Sequence, residues 1–74
     1  MAQITVEAEL GGTVWKIECK EGANIAQDDP LMMLESMKME IPVAAPSAGK
    51  VVRILVAQGD VVSEGQALAI IETS

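Results

Sequence analysis

Displaced by half its length, the 74-residue chain lies over itself without a gap. Ile4, Val6 and Ala8 fall on Ile41, Val43 and Ala45, and Gly12, Val14 and Ile17 fall on Gly49, Val51 and Ile54. Gly22, Leu31 and Glu35 fall on Gly59, Leu68 and Glu72. Conservative pairs fill the intervals: Lys16 with Arg53, Cys19 with Val56, Ile25 with Val62, Met33 with Ile70, Leu34 with Ile71. Apolar positions and turn glycines that recur at one offset mark a duplicated supersecondary unit. Two copies are too few for a solenoid. The repeat therefore predicts one domain over residues 1–74, its halves 1–37 and 38–74 related by an approximate two-fold axis.

Within each half the period is that of strands. Ile4, Val6 and Ala8 alternate with Thr5 and Glu7, and Trp15, Ile17 and Cys19 alternate with Lys16 and Glu18. Segments 13–19, 31–35, 39–43, 50–56 and 67–72 are rich in apolar or β-branched residues. Breakers bound them: Gly11-Gly12, Glu21-Gly22, Asp28-Asp29-Pro30, Pro46, Gly59-Asp60 and Glu64-Gly65. No helical stripe survives between them. The expectation is an all-β fold of about eight short strands in a flattened barrel/sandwich hybrid, closure being one way to remove exposed edges.

Composition narrows the function. Eleven Asp plus Glu against five Lys plus Arg give a net charge of −6, which repels phosphate backbones and disfavours nucleic acid. There is no His, Tyr or Phe, so the usual general base is missing and Trp15 is the sole aromatic. A metal site would have to be built from carboxylates and one thiol, and none is expected. A single cysteine, Cys19, suits a reducing cytosol. No run is long enough to span a bilayer, and Met1-Ala2-Gln3-Ile4-Thr5 lacks the marks of a signal peptide, so a cytoplasmic location is expected.

Lys38 stands where the two halves join, in the run Glu35-Ser36-Met37-Lys38-Met39-Glu40-Ile41. The repeat maps position 38 onto position 1 and position 37 onto position 74. The Met37-Lys38 link is thus the counterpart of the gap between the termini, and the lysine is expected at one end of the domain with the termini at the other. Strand-like residues on both sides make the connection a tight hairpin, although Asn-Gly or Asp-Gly is missing. Such violations of turn chemistry gather at functional positions. An amine at this tip suits acylation by a partner that holds an activated acid.

Glu35-Ser36-Met37-Lys38-Met39-Glu40 resembles the attachment motif of biotin carboxyl carrier proteins, the biotinyl domains of biotin-dependent carboxylases. The resemblance extends over essentially the whole chain, including Gly12-Thr13-Val14, Gly49-Lys50-Val51 and the segment from Gln58 to Leu68. It implies covalent biotin on Lys38, with Met37, Met39, Glu35 and Ser36 recognised by biotin protein ligase. It implies a non-catalytic carrier that takes a carboxyl group, derived from bicarbonate with ATP, from biotin carboxylase to carboxyltransferase. An excised piece of a larger eukaryotic carboxylase would place it in an organelle matrix, and the isolated domain is expected to be monomeric. Two departures stand out. Ser36 replaces the usual alanine, and Asp28 replaces a turn glycine, so that turn is expected to be irregular. No protruding "thumb" insertion is present.

Two other readings share the fold. A lipoyl carrier of an acyl-transfer complex would typically have Asp before and Ala after the lysine, where this chain has methionines. An unmodified interaction barrel would not need the lysine at all. Among the remaining residues, Lys16, Lys20, Lys50 and Arg53 read as solvated charges, Met33 as core packing, Trp15 as large and at least partly buried, and Cys19 as a small hydrophobe.

Overall fold

A computed structural model describes residues 2–73. Eight strands follow one another: β1 (Gln3–Glu7), β2 (Gly12–Ile17), β3 (Asn24–Ile25), β4 (Pro30–Ser36), β5 (Met39–Ala44), β6 (Gly49–Ile54), β7 (Val61–Val62) and β8 (Ala67–Thr73). They make two antiparallel four-stranded sheets, ordered β1-β8-β6-β3 and β5-β4-β2-β7. The half-length offset turns one order into the other. The all-β sandwich expected from sequence is present. It is not a closed barrel, because β1 and β5 are both sheet edges and no ladder joins the sheets among the described residues.

The duplication reaches the individual hydrogen bonds. Gly59 N donates to Val14 O at 2.6 Å, and Gly22 N donates to Val51 O at 2.7 Å. Gly65 N donates to Ala8 O and Asp28 N to Ala45 O, both at 2.8 Å. The Asp28 turn is therefore regular, against expectation. Asp28 takes φ 73°, close to the 82° of Gly65, because aspartate is among the few residues that tolerate left-handed backbone.

Bulges correct the simple alternation. The β2–β4 register shifts between Val14 and Lys16, and the β6–β8 register shifts between Val51 and Arg53. Trp15 and Val52 are the extra residues, and both are exposed. Val14, not Trp15, thus enters the core. A further shift between Pro30 and Met32 turns Leu31 inward beside Met32, and both are fully buried. Met33 consequently faces outward, half-buried opposite Pro42 and Lys16, rather than in the core as its alignment with Ile70 suggested. Strand β2 also stops short of the predicted residue 19. Beyond it, Glu18 N donates to Leu31 O at 2.9 Å outside the ladder.

Two apolar clusters fill the interior, and they exchange under the repeat. One joins Leu34 and Val14 to Ala8 and Leu68, and the other joins Ile71 and Val51 to Ala45 and Leu31. Leu34 lies near the β4–β5 turn, whereas Ala8 and Leu68 lie at the ends of β1 and β8 away from the termini. The clusters therefore set the β4–β5 turn and the Ala2–Thr73 pair at opposite ends of a molecule 36 Å long and 18 Å wide.

Candidate functional site

Strands β4 and β5 pair from Pro30↔Ala44 to Ser36↔Met39, leaving Met37 and Lys38 as a two-residue loop. Met37 has φ 53° and Lys38 φ 65°. Positive φ at both central residues is the signature of a type I′ turn, whose twist matches that of the flanking strands. Glycine and asparagine take this conformation readily, while larger L-residues pay roughly 1–2 kcal/mol each. The expected breach of turn chemistry is thus real, and two adjacent residues carry it.

At the repeat-related position the chain is open instead. Thr73 N donates to Ala2 O at 2.8 Å, and Thr73 Oγ1 donates to the same oxygen at 3.1 Å. One end of the domain holds a strained loop that carries a lysine, and the other holds the chain ends.

The tip is bare. Met37 is 92% exposed and Met39 63%, and Lys38, Glu35 and Glu40 are exposed as well. Ser36 is half-buried at the base of the turn. Lys38 makes no ion pair among the described residues, where Lys16 pairs instead with Glu18 at 3.4 Å at the end of β2. The chain has no histidine to act as a base beside the amine. What the site offers is an accessible primary amine at the tip of a hairpin.

The ladder brings in residues that the motif reading left without a role. Glu40 lies directly across from Glu35, a like-charge pair on the outer face that costs a few tenths of a kcal/mol. Thr13 pairs with Glu35 on the other side. Gly12 lets β2 approach this closely, since a Cβ there would sit 2.7 Å from the Glu35 carbonyl oxygen. Its mate Gly49 stands in the same relation to Glu72. The shared alignment of Gly12 and Gly49 was the visible signal, but a strand glycine reads as a turn residue until its neighbour is known. Cys19 lies at the far end against the second cluster, and burial pushes its thiol above the ordinary value.

A family model described as "Biotin-requiring enzyme" matches residues 1–71. The chain belongs to this family. As a member of the biotin-requiring family it is 46% identical over 66 residues to the biotinylated protein TB7.3 homolog of Mycobacterium leprae, covering 89% of this chain and 93% of that one. It is 40% identical over 65 residues to the biotin/lipoyl attachment protein of Bacillus subtilis, covering 88% and 89% respectively. The structure of a single-chain, multi-domain long-chain acyl-CoA carboxylase contains a similar fold, with a TM-score of 0.92 and 38% identity. That match takes in 97% of this chain and 7% of the carboxylase. The same fold thus occurs as a small segment of a much larger carboxylase.

Proposed function

We propose that this chain is a biotin carboxyl carrier domain and that Lys38 holds biotin as an amide on Nζ. One observation carries the reading: in a member of the biotin-requiring family, one lysine occupies a strained, fully presented hairpin tip at the end opposite the termini. The site suits the group. A lone exposed amine accepts an acyl chain, and nothing among the described residues covers it.

Nζ loses a proton and attacks the carboxyl carbon of activated biotin, the activating group leaves that carbon, and biotin protein ligase supplies the base. Met37 and Met39 give the ligase two apolar contacts, Glu35 gives it a charged one, and the small Ser36 keeps the turn base uncrowded. When bound, biotin supplies a ring nitrogen that takes a carboxyl group at the biotin carboxylase site and yields it at the carboxyltransferase site. The β4–β5 ladder contributes position alone. Tethering makes each visit intramolecular, with local concentrations on the order of millimolar for a linker that spans the sites. The isolated domain is monomeric in this reading and works in a cytoplasmic or organelle-matrix compartment, without nucleic acid or membrane partners.

Intact mass after incubation with biotin ligase, ATP and biotin tests the proposal, beside a parallel reaction with lipoate ligase and lipoate. A single biotinoyl increment, absent in Lys38→Ala, is expected. Lipoylation alone would move the chain to acyl-transfer complexes. No increment in either reaction would leave an unmodified interaction module.

A further inference from the structure

Edge strands β1 and β5 belong to different sheets and do not pair, and both line a groove of about 570 Å³. Ile4, Val6, Leu34, Ile41 and Val43 line it, with Leu10 at one end. Ile4 pairs with buried Ile71 and Ile41 with buried Leu34, so both side chains point between the sheets. Yet Ile4, Ile41 and Val43 are only half-buried. Apolar surface left half open inside a sandwich lacks an occupant. Glu7, Glu9 and Glu64 also border the groove and give it negative charge.

An uncharged ring that is apolar on its faces and amide-like at one edge matches these walls. The free edges of β1 and β5 carry carbonyls and, except at Pro42, amides that could meet both the N–H groups and the oxygen of a cyclic urea. An anionic group would be repelled by the three glutamates. The reach also agrees. Eleven single bonds separate the Lys38 Cα from the bicyclic ring, equivalent to between three and four residues of extended chain, or about 13 Å. Ile41 lies three residues along β5 from Lys38, about 10 Å at the rise of a strand.

Resting on the carrier reading above, we propose that the uncharged biotinyl ring on Lys38 lodges in the groove between β1 and β5 when no partner holds it. The groove is then a parking site in cis. It shields the ring between visits, and partners draw on the fraction that swings free.

The test begins with protein whose biotin is mapped to Lys38 by mass, so a label that is absent or on another lysine overturns the carrier reading at that step. Methyl NMR spectra of unmodified and biotinylated protein are then compared. Lodging shifts the Ile4, Ile41 and Val43 methyls and gives them nuclear Overhauser contacts to ring protons. Ile41→Glu, checked for folding by its unmodified spectrum, removes the remaining shifts. For a ring parked nine-tenths of the time, streptavidin capture is about tenfold slower in the wild type than in that variant. The wild-type spectra decide even where the variant fails to fold. Biotin on Lys38 with shifts confined to residues 35–40 would overturn the groove proposal and leave the carrier reading intact.

Discussion

Met37 and Lys38 hold left-handed backbone where a hairpin of this length favours Asn-Gly. Met37 is nearly fully exposed, so its side chain adds little packing to offset the strain. Met37→Asn should therefore raise stability by about 0.5–1 kcal/mol in urea melts, because asparagine tolerates this conformation. The same change should slow biotin acceptance if the ligase reads the methionine. A stability gain with unchanged acceptance would remove Met37 from the recognition set. Cys19 gives a pH effect. Its thiol is raised by burial in the fold, so the unfolded chain ionises first. Stability is then full below the unfolded thiol's value and falls as pH rises through it. Melts at pH 7 and pH 10 should show a larger alkaline loss for the wild type than for Cys19→Ala, and equal losses would contradict the assignment.

At the scale of elements, Gly12 and Gly49 form a matched experiment. Each brings its strand against a backbone carbonyl, where a Cβ would collide with Glu35 O or Glu72 O. Gly12→Ala and Gly49→Ala should each cost about 1–3 kcal/mol through forced displacement of the strand. Amide shifts should move near residues 35–39 in the first and near the Ala2–Thr73 pair in the second. Shifts at the same end in both would refute the two-fold layout. Strand positions were largely legible in the sequence because alternation and breakers are local. The two-residue strands β3 and β7 were not, since so short a run has no period to read. Bulges were hidden as well, because an extra residue in a strand is defined by its partner. Met33 was misplaced for that reason, as was the inward alternation of Trp15, which is only partly buried, and Asp28 because its glycine mate hid how well aspartate takes the same turn.

On the scale of the whole molecule, the repeat predicts two equivalent half-cores. Leu34 and Ile71 are mates, one in each cluster, and both are buried. Leu34→Ala and Ile71→Ala should each cost about 2–5 kcal/mol, by similar amounts. Val43 and Ile54 pack against both clusters, so denaturation should remain a single transition in both variants. Two separate transitions would show that the halves fold independently. The lysine's place at one end was legible from the offset alone. The groove between β1 and β5 was not, because it arises from how two sheets meet. The measurement closest to the central claim is peptide mapping of the chain after biotin ligase treatment. A biotin carried at the hairpin tip predicts label on Lys38 and none on Lys16, Lys20 or Lys50. Label spread over those lysines, or concentrated on one of them, would contradict it.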